Sequence, residues 1–444
     1  MIKQVTQKDI IWGYLSQFLN IGSGIIIIPV AIKYLTAEDM GLWYLFIAIA
    51  GLAQLLEFGL QPTISRMTSY IYSGAKELRA EGLPDKGDLL NPQLLFDLIY
   101  AAKKMYRYVS IGAALILIII GTLYLKTFDE FQSEQFWAWL IFSMSSIINF
   151  YFTYFNGLMT GRGDQKELYR VTAISKLIML LLAVPLLMNQ IGLLSMAIST
   201  FVSMIVARVL LYRAFYTSSR EEIQKIKNIT IISFNYTKTL WLSAWKLGTT
   251  SLGSFLILRA NMFIASSFLG LKVAASYGLT VQVISILSTV SAMIFSLNLP
   301  KLNALQSIGD KVGLKSLFKR SLIITHLLYF IGAICLIFIG IPLITLISSN
   351  TQLVGFSTLL LMLVMYQLEL NHSMCATYLT TLNKVPFMYA ALFSGGVIVF
   401  SGLMLSNFTA IGILGLVLSQ FLIQLMFNNW YWPMVAYRDL KNDC

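Results

Sequence analysis

Residues 10–34 read IIWGYLSQFLNIGSGIIIIPVAIKY, and Lys33 is the only charged side chain among them. At 1.5 Å of rise per residue, about 20 mostly apolar residues in a helix cross the ~30 Å hydrocarbon core of a bilayer. Lys3 and Lys8 precede the stretch, and no small-residue cleavage site interrupts it. It reads as a retained signal-anchor helix rather than a signal peptide. Eleven further stretches of this kind follow, near 41–66, 104–125, 135–160, 169–188, 191–213, 240–268, 273–299, 319–347, 353–381, 386–405 and 410–434. Of 444 residues, 57% are hydrophobic and only 12% charged, against roughly 25% charged in soluble domains. The sequence predicts an all-α polytopic membrane protein of about 12 transmembrane helices.

Several function classes drop out at once. Two histidines and three cysteines (Cys335, Cys375, Cys444) supply neither a multi-ligand zinc site nor a disulfide framework, so no metal centre or cofactor is expected. No glycine-rich phosphate loop ending in Lys-Ser or Lys-Thr is present. Gly161-Arg162-Gly163 is the nearest approach and reads as a loop between spans. The formal net charge of +12 suggests nucleic acid until the charges are placed.

Sorted by alternating sides of twelve spans, 28 of the 32 Lys and Arg residues fall on one side. Lys33, Lys126 and Lys272 fall on the other, and Arg259 lies within a span. Such a bias puts the basic side, and with it both termini, in the cytoplasm. Charge of this origin calls for no nucleic-acid partner. Loops on the outer side are short, and the longest, from Lys126 to Glu134, is acidic. The large cytoplasmic segments are 67–103 and 214–239. Gly82, Pro84, Gly87 and Pro92 break the first. The stretch carrying Leu94, Leu95, Leu98 and Ile99 before Lys103 and Lys104 is expected to lie in the headgroup layer.

The two halves repeat weakly. Tyr34-Leu35 followed by Met40-Gly41-Leu42-Trp43-Tyr44, with Pro62 beyond, is matched by Phe268-Leu269, then Ser276-Tyr277-Gly278-Leu279, with Pro300 beyond. Parallel repeats of this kind build two bundles around a midplane cavity and rock between access states. The expected division is a six-helix lobe over 1–220, a cytoplasmic linker over 221–239 and a second six-helix lobe over 240–444, the two bundles enclosing a central cavity.

Tyr34-Leu35-Thr36-Ala37-Glu38-Asp39-Met40-Gly41-Leu42-Trp43 resembles the first outer loop of the polysaccharide-export branch of the MOP flippase superfamily. Glu57-Phe58-Gly59-Leu60-Gln61-Pro62-Thr63-Ile64-Ser65-Arg66 is similar to that branch's signature at the end of the second span, and Tyr277 to Pro300-Lys301-Leu302 to its eighth span. The resemblance covers essentially the whole chain. It implies a Wzx-type O-antigen flippase of the bacterial inner membrane, a carrier rather than an enzyme. Its substrate would be an undecaprenyl-pyrophosphate-linked oligosaccharide, moved from the cytoplasmic to the periplasmic leaflet. The resemblance further implies membrane lipids as surroundings, and a polysaccharide polymerase and chain-length regulator as partners. The multidrug (MATE) branch also has twelve spans but lacks the outer-loop and Arg-ending signatures.

Within the spans, Arg259 carries the most information. It lies about nine residues from the outer end of the seventh span, or roughly 13 Å deep. An arginine there costs at least ~2.5 kcal/mol unless it faces a partner or a watered cavity. It reads as a lumen cation for a pyrophosphate, or as a structural partner of Glu57 or Glu369. Lys246, Arg66 and Asn261 join it as substrate-binding candidates, Arg66 at a cytoplasmic entrance or simply snorkelling. Glu57, and Glu369 with His372 at i and i+3 on one helix face, are candidate coupling groups or packing pairs. Gln54 and Asn156 fit a wet, sugar-compatible lumen, though interhelical hydrogen bonding explains them equally well. The rival function is a cation-coupled multidrug exporter, whose lumen would be acidic. A channel or a membrane-embedded glycosyltransferase is a more distant alternative.

Overall fold

A computed structural model describes residues 7–79, 90–217, 226, 229–308, 310–347, 350–381, 386–408 and 411–442. Residues 221–225 and 227–228 of the expected linker, Arg220 before it, and the helix breakers Gly82, Pro84 and Gly87 lie outside the described residues. All twelve expected spans are helical. Ten helices are long and apolar enough to cross a membrane among the described residues, or eleven if the bent pair Gly248–Leu258 and Ala260–Leu269 is one span. The tenth span, Phe356–Thr381, is long enough at 26 residues. It falls outside that count because Gln367, Glu369, Asn371 and His372 crowd its centre. The chain is a multi-pass membrane protein.

Two compact units divide the chain: residues 1–31 with 49–251, and residues 32–48 with 252–444. The stretch 32–48 joins the second unit through identifiable contacts. The Asn350 backbone N–H donates to the Ile32 carbonyl at 2.9 Å, and its side-chain amide to the Leu35 carbonyl at 3.0 Å. These bonds satisfy carbonyls that the end of the first helix, Gln7–Tyr34, leaves open. Lys272 pairs with Glu38 at 3.1 Å on an exposed edge.

The repeated motifs pack on each other inside this second unit. Tyr44 donates to the Gln282 side-chain oxygen at 2.6 Å. A Cβ on Gly41 would run into the Leu271 carbonyl, and one on Gly278 into the Tyr44 ring. Each glycine therefore permits a close approach that any side chain would block.

Two sequence expectations are corrected here. The stretch at Leu94, Leu95 and Leu98 is no separate helix in the headgroup layer. It is the first part of the third span, Pro92–Ala114, whose start is capped by the Asn91 side chain accepting from the Gln93 and Leu94 N–H groups. Its leucines are at most 4% exposed, because that face packs inside the first unit. Gly161 and Arg162 likewise form no loop. They end the helix Tyr154–Arg162, and Gly163 closes it in the left-handed conformation (φ 87°) that favours glycine. Arg162 is buried, ion-paired with Asp164, and stacked 4.7 Å from the Phe215 ring centre.

Candidate functional site

Two spans break part-way along, and a charged candidate stands at each break, Glu57 at one and Arg259 at the other. The second span runs as a helix over Ala37–Gln54 and then, within the first unit, as a tight turn over Leu55–Glu57. Phe58 (φ 43°) and Gly59 (φ 69°) then take left-handed conformations before the helix Leu60–Tyr72 begins. Gly59 adopts this freely, whereas Phe58 is strained. Gly248 and Trp241 of the seventh helix pack on Phe58, with ring centres 5.5 Å apart for the aromatic pair.

Glu57 sits at this break and is fully engaged. Tyr106 donates its hydroxyl to the carboxylate at 2.7 Å, and the Gln61 backbone N–H also donates to it. Arg208 supplies the nearby positive charge. Its guanidinium donates to Asn149, to the Asn156 side-chain oxygen at 3.1 Å and to the Phe152 carbonyl at 3.5 Å. Asn156 is thus an acceptor for Arg208. Gln54, the last residue of its helix, is exposed.

In the second unit the seventh span stops at Leu258 and resumes at Ala260, the two segments meeting at 42°. Arg259 occupies the break. Its side chain is exposed and makes no ion pair among the described residues. The adjacent Asn261 is fully buried and donates to the Gln420 side-chain oxygen at 2.9 Å. This buried bond joins two helices of the second unit.

The polar centre of the tenth span forms its own network in this unit. Glu369 lies 3.5 Å from His372 Nδ1 and accepts from Gln424 at 3.2 Å. Gln424 in turn accepts from Asn428 at 2.6 Å, which also donates to Ser394 at 2.9 Å. His326 lies between Gln367 (2.7 Å) and Asn371 (3.2 Å), which stand one helical turn apart.

Arg66 is exposed on one face of the helix Leu60–Tyr72 and lines a cavity of about 450 Å³. Lys246 lies on the helix Thr237–Leu258, with its side chain outside the described residues.

Sequence reading missed Arg208 and Tyr106. Arg208 was legible in principle, because its charge falls inside the expected span 191–213, where a charge needs a partner. Tyr106 carries no such signal. A tyrosine near a span end looks like any member of the interfacial belt.

No family model matches the chain, and no curated protein does either. Solved structures do match over nearly the full length. An inward-facing multidrug resistance MATE family transporter of the MOP superfamily is 14% identical, with a TM-score of 0.71 over 96% of both chains. An outward-facing one is 12% identical, with a TM-score of 0.58 over 98% of this chain and 96% of its own. A MOP superfamily transporter from Pyrococcus furiosus, described by the reversed polarity of its binding pocket, is 10% identical, with a TM-score of 0.57 over 99% of both. At such identities the likeness is one of fold: the chain has the architecture of MOP superfamily transporters, and function has to be argued from the site.

Proposed function

We propose that this protein is an alternating-access carrier that moves a polyprenyl-pyrophosphate-linked oligosaccharide across the bacterial inner membrane, from the cytoplasmic leaflet outward. One observation carries the reading. Arg259 is a permanently charged side chain at a break in the middle of a span, exposed and without an ion-pair partner among the described residues. A cation held there is costly unless it faces water or an anion. A phosphate group is the natural counter-charge for a guanidinium, whose planar fork donates two parallel hydrogen bonds. The polyprenyl tail would stay in lipid while the charged head enters. No bond is made or broken, so no catalytic residue is assigned.

A second reading is a cation-coupled exporter of organic cations. Two of the three structures described above bear multidrug names, and Glu57 and Glu369 place two carboxylates within spans. On names alone the comparisons lie nearer this reading; Arg259 weighs against it, because an exposed guanidinium repels a cationic drug. The third match supports neither polarity as a rule, since its pocket is described as reversed.

Deleting the gene and restoring either wild type or Arg259→Ala at matched protein level separates the two. The flippase reading predicts accumulated lipid-linked glycan and lost surface polysaccharide, corrected by wild type and not by Arg259→Ala. Unchanged surface glycan, together with new sensitivity to cationic drugs, would establish the exporter instead.

A further inference from the structure

The helix Leu60–Tyr72 has two unlike faces. Thr63, Ile64, Met67, Thr68 and Ile71 are buried. Gln61, Ser65 and Ser69 recur every fourth residue on the other face beside Arg66, the spacing that stacks side chains along one helix stripe. This polar stripe does not simply face solvent. With Thr160 and Gly161 of the helix Tyr154–Arg162 it lines an open pocket of about 450 Å³, within the ~300–1,000 Å³ typical of small-ligand sites.

The wall opposite the stripe exists because two glycines bring the helices together. A Cβ on Gly157 would stand 3.0 Å from the Gln61 carbonyl, and one on Gly161 would collide with the Ser65 carbonyl and approach the Thr68 Cβ to 2.6 Å. The lining offers one guanidinium, three hydroxyls and one side-chain amide, and contains no carboxylate. Arg66 makes no ion pair among the described residues. One fixed positive charge beside hydroxyl and amide donors, with no carboxylate in the lining, matches a phosphate better than a cation.

We infer that this cavity is a binding site for a phosphate or diphosphate group, separate from Arg259, where the charged head of the substrate is held before it enters the membrane. The inference rests on the proposed function for the order of events, and on the pocket alone for the ligand chemistry. The site lies in one unit, on the second and fourth spans, and does not use the broken seventh span.

Binding of inorganic pyrophosphate to the full chain in phosphatidylcholine nanodiscs, followed by 31P line broadening, tests this. Wild type should broaden the signal. Arg66→Gln should weaken binding at least about tenfold, the loss expected for one charge-assisted contact. Arg66→Lys should recover part of it, and Ser65→Ala with Ser69→Ala should weaken it several-fold. Repeating the titration in phosphatidylglycerol nanodiscs identifies the source: competition by the lipid means that a lipid headgroup occupies the site, and unchanged binding means that a soluble phosphate does. Unaltered affinity in Arg66→Gln, or loss only in Arg259→Gln, would overturn the inference and leave the flippase reading standing. Loss in Arg66→Gln, with surface glycan unaffected by gene deletion, would keep the site and remove the flippase.

Discussion

The break in the second span and the break in the seventh look alike in outline and differ in how their charge is held. At Glu57 the carboxylate accepts from Tyr106 and from a backbone N–H, with Arg208 nearby and itself bound to Asn149 and Asn156. At Arg259 the guanidinium stands without an ion pair among the described residues. A charge whose partners are all supplied by the protein contributes to structure. A charge left open is costly to the protein on its own, and the cost falls when a counter-charged ligand arrives. On the proposed function, the two breaks divide labour between holding the fold and meeting the substrate.

The largest expected effect comes from attacking the first break directly. Gly248 lies against the Phe58 backbone, where an added Cβ would stand 2.6 Å from the Phe58 Cα. Gly248→Leu should cost about 3 kcal/mol or prevent assembly, because backbone cannot move aside as a side-chain tip can. Gly396, whose Cβ would meet nothing within 4 Å, supplies the control. Gly396→Leu should leave thermal unfolding in detergent unchanged. Equal midpoints for the two variants would mean that the kink at Phe58 is not held by the seventh helix.

Next in size is a contrast of the two arginines. Arg208→Met strands the side-chain oxygens of Asn149 and Asn156 and leaves Glu57 without its cation, a loss of about 2 kcal/mol. Arg259→Gln removes a charge with no partner to strand and should change stability by less than about 0.5 kcal/mol, while transport of the lipid-linked glycan falls at least tenfold. Thermal unfolding and the glycan assay on both variants check this. If Arg259→Gln destabilises as much as Arg208→Met, the supposed ligand-facing cation is a structural one.

The contrast also explains what the sequence could and could not disclose. The twelve helices were legible because span length is fixed by bilayer thickness and apolar residues must be continuous. Even the polar tenth span was found, its apolar first half being enough. The breaks were not legible. Phe58 in a left-handed conformation violates its own preference, and only the packing of Gly248 and Trp241 around it makes sense of that. Arg259 was conspicuous as a charge, yet its position at a bend rather than inside a straight helix depends on tertiary contacts. Asn261 and Asn156 show the limit for neutral polar residues, since a sequence does not distinguish an amide facing a lumen from one bonded to a neighbouring helix. Their partners, Gln420 and Arg208, lie 159 and 52 residues away.

The smallest expected effect tests whether the first break's network is cooperative or a set of independent contacts. Tyr106 and Glu57 share one hydrogen bond of 2.7 Å across two spans. Tyr106→Phe removes the donor and keeps the ring; Glu57→Leu removes the acceptor and keeps most of the volume. In a double-mutant cycle on thermal stability the pair should couple by about 1 kcal/mol, the scale of a single side-chain bond to a carboxylate. Repeating the cycle in an Arg208→Met background sharpens the result. Arg208 acts on both Glu57 and Tyr106, so removing it should change the coupling measurably if the three groups form one network. A coupling near zero in both backgrounds would reduce the break to backbone geometry, and Glu57 would then be open to a ligand or a proton.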